Sequence, residues 1–215
     1  MFATKNQHTT LVDAFRTGTE LSYKKGEFII RPGENPQGVF YIVEGLVKAY
    51  DITKYGEENL LIIRKEHEIF PLIWSITGEG KHVIYEALSA VKVLRLEQSK
   101  YMEFLTQDKN ILPPLLDIIL EMYRIHSERI INLEYRTVKE RLVSFLLIMS
   151  QRFGHKTKAG IFIGAPLKQQ DIASSINASR ETTGRELSQL IRKELIINNQ
   201  SHITIVNEQK LRSML

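Results

Sequence analysis

Short apolar and β-branched runs, cut at close intervals by glycine and proline, fill the first half of the chain. Phe28-Ile29-Ile30, Val39-Phe40-Tyr41-Ile42-Val43, Leu46-Val47-Lys48-Ala49-Tyr50 and Leu60-Leu61-Ile62-Ile63 are such runs. Between them stand Lys25-Gly26-Glu27, Pro32-Gly33-Glu34-Asn35-Pro36, Glu44-Gly45 and Tyr55-Gly56-Glu57, which read as turns. Residues 83–88 and 91–96 continue the series. Strands at this spacing predict a small antiparallel β-roll of jelly-roll type over residues 23–96. The mixed stretch 9–23 predicts only a short helix around residues 11–15, and residues 100–107 a connecting helix.

From residue 113 the hydrophobic period lengthens. Pro113-Pro114 suits a helix start, where missing N–H groups do no harm. Leu115, Ile118, Met122 and Ile125 then recur at 3-4-3 spacing, the seam of a coiled coil, with Leu133 further along. A dimerisation helix over residues 115–136 is expected from this, although one amphipathic helix capping the roll would show the same stripe. Residues 138–153 predict a second helix, with Thr137 as hinge. Residues 154–160 read as a basic loop, Ile161-Phe162-Ile163 as a strand, and residues 167–176 as a short helix with Ile172, Ala173 and Ile176 inside. Another helix starts at Ser179, with Leu187, Leu190 and Ile191 as its apolar side. Leu195-Ile196-Ile197 and Ile203-Thr204-Ile205-Val206 flank Asn198-Asn199-Gln200-Ser201 as a hairpin. The fold class expected is α+β: roll (1–108), long helix and hinge (109–137), winged helix-turn-helix (138–215).

The helix pair carries the clearest chemistry. Ser179 is a good N-cap, and Glu181 puts a carboxylate in the first turn. Arg180, Glu181 and Arg185 fall within an arc of about 140° at 3.6 residues per turn. Arginine can bond guanine O6 and N7 together, and glutamate can accept from cytosine N4. Two short helices joined by Asn177-Ala178 make a helix-turn-helix, whose second helix enters the major groove N-terminus first. An ordinary helical hairpin with solvated charges is the alternative.

Charge sharpens this picture. The 215 residues carry a net charge of +4, and from Lys139 onward there are 12 basic and 6 acidic residues, a net of +6. A basic C-terminal third on a near-neutral body suits a phosphate backbone. With 43% hydrophobic and 25% charged residues, the chain should fold and stay soluble. There is no cysteine, which excludes disulfides, thiolate-bound clusters and cysteine nucleophiles and fits a reducing cytoplasm. Met1-Phe2-Ala3-Thr4-Lys5 lacks the apolar run of a signal peptide, and no stretch is long and apolar enough to span a bilayer. The histidines, His8, His67, His82, His126, His155 and His202, show no metal-ligand spacing. No catalytic motif or carboxylate pair stands out, so neither an enzyme nor a cofactor is expected. A cupin-like enzyme on the roll is the remote alternative, and it would need the clustered ligands that the spacing lacks.

The order of roll, long helix and basic winged helix-turn-helix resembles the cyclic-AMP receptor protein and Fnr family of bacterial transcription regulators, over almost the whole chain. The resemblance is specific at Leu167-Lys168-Gln169-Gln170-Asp171-Ile172-Ala173, at Ser179-Arg180-Glu181-Thr182-Thr183-Gly184-Arg185, and at Lys25-Gly26-Glu27 through Gly33 to Tyr41-Ile42-Val43-Glu44-Gly45-Leu46-Val47-Lys48. It implies a homodimer on double-stranded DNA. Positions matching Arg180, Glu181 and Arg185 would read a TGTGA-like half-site, and Gln170, Ser179 and Thr182, with Lys168 beside them, would touch phosphates. His155-Lys156-Thr157-Lys158 lies where family members meet RNA polymerase; a solvated basic loop or a phosphate contact explains it as well.

The roll departs from the family. Members that bind cyclic AMP carry a Gly-Glu pair and then an Arg followed by Ser or Thr. Here the stretches run Glu68-Ile69-Phe70-Pro71-Leu72-Ile73-Trp74 and Gly80-Lys81-His82-Val83-Ile84-Tyr85. His82 is a poor substitute for a guanidinium, because it is mostly neutral at pH 7 and cannot bind bidentately. The expectation is therefore an effector other than cyclic AMP, or none. Phe70, Trp74, His82, Tyr85, His126 and Ser127 form the candidate pocket. For Trp74 a place in the core, and for His126 and Ser127 a solvated or dimer-seam place, are the competing readings.

Overall fold

The computed structural model describes residues 3–79 and 83–215. Two compact units divide it: Met1–Asp51 with Leu61–Tyr123, and Ile52–Leu60 with Arg124–Leu215.

The N-terminal unit begins with α1 (Lys5–Arg16), longer than its apolar spacing predicts. Thr4 and Gln7 close a reciprocal capping box at its start, and Leu11, Ala14 and Phe15 give it one buried side. Eight strands follow: β1 (Thr19–Tyr23), β2 (Phe28–Ile30), β3 (Val39–Glu44), β4 (Val47–Ile52), β5 (Glu58–Arg64), β6 (Ile69–Phe70), β7 (Ile84–Ala87) and β8 (Val91–Leu96). They form two four-stranded sheets, ordered β1-β8-β3-β6 and β2-β7-β4-β5. The turn-and-run pattern therefore does mark a β-roll. Strand β1, Thr-Glu-Leu-Ser-Tyr, has too few apolar residues to announce itself and exists because β8 pairs with it from Thr19↔Arg95 to Tyr23↔Val91. Gly45 turns β3 into β4 at φ +94°, with the Ala90 carbonyl 2.2 Å from where a Cβ would sit, so only glycine fits.

Helices α2 (Leu72–Thr77) and α3 (Gln98–Gln107) and a 3-10 turn (Lys109–Ile111) complete this unit. Its core joins Leu11, Phe15, Val39, Tyr41, Ile69, Leu94, Leu96 and Tyr101 to Ile111, Leu115 and Ile118 of α4 (Leu112–Tyr135).

The C-terminal unit is organised around α5 (Val138–Phe153), in which every residue from Leu142 to Ser150 is buried. A helix apolar on all sides belongs inside, as this one is. Thr137 caps it with a second capping box, paired with Glu140. At the junction of α4 and α5, Asn132 donates to Ser144 Oγ at 2.8 Å and accepts from Arg136 at 2.6 Å. Then come β9 (Gly154–Thr157), β10 (Gly160–Ile163), α6 (Gln169–Ser175), α7 (Arg180–Arg192), β11 (Ile196–Asn199), β12 (His202–Ile205) and α8 (Glu208–Arg212). The stretch read as a basic loop is in fact edge strand β9, paired with β10 in the sheet β11-β12-β10-β9. Its charged residues hid its extended pairing.

The tip of the β4–β5 hairpin belongs to this unit. Arg129 donates to the Leu60 carbonyl at 2.9 Å and to Asn59 Oδ1 at 3.1 Å, while the Leu60 N–H donates to Ser174 Oγ at 3.1 Å.

Candidate nucleic-acid interface

Helix α6 is shorter than its apolar period predicts. It starts at Gln169, because Leu167 is committed elsewhere: its N–H donates to the Ser201 carbonyl at 2.6 Å. Ile172, Ala173 and Ile176 are buried, as their spacing predicts. The chain then reverses through Asn177, which takes the left-handed conformation (φ 49°), a region that asparagine tolerates. The Ala178 N–H closes the turn on the Ala173 carbonyl at 3.0 Å.

Ser179 caps α7: its hydroxyl accepts from the Thr182 N–H at 3.1 Å. The buried side of α7 is Thr183, Leu187 and Leu190, rather than Leu187, Leu190 and Ile191. Ile191 is 40% exposed, since one step round the helix takes it off the face that Thr183 completes.

Arg180, Glu181 and Arg185 are all exposed on the opposite side. Arg185 Nη2 donates to Thr182 Oγ1 at 3.1 Å, and the Ser179 and Thr182 hydroxyl oxygens lie 3.1 Å apart. The Glu181 carboxyl is held below the usual carboxylate range by its own backbone N–H and the Ser179 hydroxyl, with Arg180 and Arg185 adding to the effect. It is therefore an ionised acceptor at neutral pH, between two cationic donors. Lys168 and Gln170 stand exposed at the N-terminal end of α6, and Thr182 is half-buried. Glu181, Gly184, Arg185, Ser188 and Arg192 line a shallow groove together with Gln169. Sequence reasoning passed over Gln169, whose amide reaches the Arg180 carbonyl; the signal was a glycine inside the recognition helix.

The residues singled out for an effector have different surroundings. Phe70 and Tyr85 are buried and stacked, ring centroids 4.7 Å apart, and Phe40 stacks on Phe70 at 5.2 Å. Tyr85 hydrogen-bonds Arg64, and burial pushes its phenol above the ordinary value while Arg64 pulls it down. Arg64 in turn meets Glu68 at 3.4 Å, both buried. Trp74 packs instead against the cluster of Leu11, Phe15, Tyr41 and Tyr101, the core reading. His126 is exposed and Ser127 half-buried on the part of α4 that belongs to the C-terminal unit. His82 lies outside the described residues.

The predicted dimer seam also needs correction. Leu115, Ile118, Met122 and Ile125 are buried within the single chain, at 4%, 8%, 6% and 7% exposure, and only Leu133 is open. The exposed apolar side of α4 is Leu116, Leu120, Tyr123 and Ile130. With Ser127 it has 4-3-4-3 spacing, one residue out of step with the predicted seam. Both stripes are apolar, and sequence spacing alone does not say which one the roll takes.

Residues 140–214 match the family model described as the Crp-like helix-turn-helix domain, and residues 20–108 match that of the cyclic nucleotide-binding domain. The chain is 30% identical over 189 residues to the global nitrogen regulator of Synechococcus elongatus, covering 86% of this chain and 84% of that one. The CRP-like cAMP-activated global transcriptional regulator of Mycobacterium tuberculosis is 22% identical over 191 residues, 89% of this chain and 85% of the other. Among solved structures, FixK2 from Bradyrhizobium japonicum superposes with a TM-score of 0.77 at 25% identity, over 91% of this chain and 96% of that one. A CooA variant from Carboxydothermus hydrogenoformans shares the fold, with a TM-score of 0.78 at 18% identity over 94% and 89% of the two chains. The first two of these relatives are regulators by name, the second a transcriptional one. No helix among the described residues is long and apolar enough to cross a membrane. A β-roll, a long helix and a winged helix-turn-helix with a charged recognition face thus make one reading, and the chain belongs to the Crp/Fnr family of transcription regulators.

Proposed function

We propose that the protein is a cytoplasmic homodimer that reads a palindromic TGTGA-like site on double-stranded DNA. Arg180 and Arg185 specify guanines and Glu181 a cytosine, while Lys168, Gln170, Ser179 and Thr182 fix the register on phosphates. The observation that carries this reading is the exposed Arg-Glu-Arg face at the N-terminal end of α7, its carboxyl held ionised. The exposed stripe of Leu116, Leu120, Tyr123 and Ile130 supplies a seam for a second copy. In such a dimer the two recognition helices meet half-sites one DNA turn apart, about 34 Å centre to centre. His155, Lys156 and Lys158, at the wing edge, are the residues offered to RNA polymerase.

The roll responds to a ligand other than cyclic AMP, or to none. Where the phosphate cassette would be, Phe70 stacks with Phe40 and Tyr85, and the buried charges there, Arg64 and Glu68, are engaged with each other. The match of residues 20–108 to the cyclic nucleotide-binding domain keeps a second reading in view, control by a cyclic nucleotide.

Selection of the ligand-free protein against a randomised duplex pool at fixed salt, with and without cyclic AMP, tests both. A palindromic TGTGA-like motif in both arms is expected. Enrichment only with cyclic AMP favours the second reading, and no enrichment in either arm means that another effector is required or that the base-reading assignment fails.

A further inference from the structure

Gly184 is the fifth residue of α7, well inside the helix. Glycine there costs about 1 kcal/mol relative to alanine, so its presence needs a reason. A Cβ built on Gly184 would lie 2.5 Å from Nε2 of Gln169 and 3.4 Å from its Cδ. That same nitrogen donates to the Arg180 carbonyl at 2.6 Å. Only the nitrogen end of an amide can face a carbonyl oxygen so closely, so the side chain's orientation is fixed. Gln169 is the first residue of α6, and its head group sits in the notch that a missing methyl leaves on α7.

We propose that Gln169 is a positioning residue for base recognition: its amide, seated against Gly184 and bound to the Arg180 carbonyl, sets the rotation of α7 relative to α6 and so aims Arg180, Glu181 and Arg185. The inference rests on the reading of those three side chains as base contacts. Arg180 and Gly184 are one turn apart and share a row along the helix. Glu181 and Arg185 form the adjacent row, about 100° round. Apolar packing between the helices is non-directional and tolerates small rotations. One short polar tether does not. At the ~6 Å radius of helix side chains, a 10° rotation moves a head group by roughly 1 Å, which is enough to loosen a built recognition geometry.

The test uses the full-length protein and five variants: Gln169→Ala, Gly184→Ala, both together, Arg185→Ala and Glu181→Gln. Base preference at each site position is measured by selection from a randomised duplex pool at fixed salt, alongside thermal melting. Gln169→Ala and Gly184→Ala should each flatten preference about three- to tenfold, the scale of one net hydrogen bond. The flattened positions should include those that Arg185→Ala and Glu181→Gln also flatten. The double variant should be no worse than either single one, because the methyl on residue 184 already displaces the amide. Gly184→Ala favours the helix, so it keeps the test open if Gln169→Ala loosens the fold. An affinity loss uniform over all sequences would make Gln169 a phosphate contact and overturn the proposal. Additive effects in the double variant, or lost preference at a base pair outside those assigned to Arg180, Glu181 and Arg185, would also overturn it. If Arg185→Ala and Glu181→Gln leave preference intact, the base-reading assignment itself fails, whatever Gln169 does.

Discussion

The outward face of α7 and the interior of the roll hold charge in opposite ways. On α7, Arg180, Glu181 and Arg185 stand in water with only their own first turn to restrain them. In the roll, Lys48, Arg64 and Glu68 are buried, and Arg64 is engaged by Glu68 and Tyr85. The first set is free to exchange water for a partner's groups at small cost. The second has already left water, and its partners are part of the fold. Charge on α7 is open to a partner, and charge in the roll is committed to the fold.

The largest effect expected is on the buried side of that contrast. Glu68→Ala strands the Arg64 guanidinium and should cost about 3–5 kcal/mol in urea unfolding, with base preference unchanged. A loss below about 1 kcal/mol would mean that water reaches Arg64 and that the roll's charges are not committed.

The exposed stripe of α4 is the intermediate case, apolar but open. Leu120→Glu should give a monomer by sedimentation velocity and weaken binding to a paired site by about a hundredfold or more, as lost bivalency does. Binding to a single half-site should be spared. A dimer that survives Leu120→Glu would place the seam elsewhere.

Arg185→Ala tests the exposed charge directly. It should cost about 1–3 kcal/mol and relax preference at one base pair. An equal loss on every sequence would reduce Arg185 to a phosphate contact.

The smallest effect concerns pH. The folded pKa of Glu181 lies below its ordinary value, so the stabilisation that its charge brings is present above that ordinary value. It disappears only as pH falls through the lower, folded value. An NMR titration should find the Glu181 midpoint under the ~4.3 of a free glutamate, and Ser179→Ala should move it back upward. A midpoint that Ser179→Ala leaves in place would remove the hydroxyl from the account.

How legible each region was follows from how local its causes are. Ser179 as cap and the exposure of Arg180, Glu181 and Arg185 follow from spacing within one helix, and α5 runs over the residues its pattern marks. Strand β1 needs β8, and edge strand β9 needs β10, so neither could be read from its own polar residues. On α4 two apolar stripes compete, and only the roll's packing decides that Leu115 and Ile118 turn inward while Leu116 and Leu120 stay out. Thr183 displaced Ile191 from the buried side of α7 for the same reason. The family resemblance pointed to Arg180, Glu181 and Arg185, but the bond from Gln169 to the Arg180 carbonyl became visible only with a second helix in view.

The hairpin tip that joins the C-terminal unit has a consequence for how the protein is made. Asn59 and Leu60 leave the ribosome long before the groups they bond: Arg129 follows 70 and 69 residues later, and Ser174 follows Leu60 by 114. At about 5–20 residues per second, the tip waits roughly 6 to 23 s for Ser174. The roll's strands can pair during synthesis, but their outermost turn finds its last partner only when the C-terminal third emerges. A fragment cut at residue 138 would therefore carry the recognition helix without the turn that Ser174 receives.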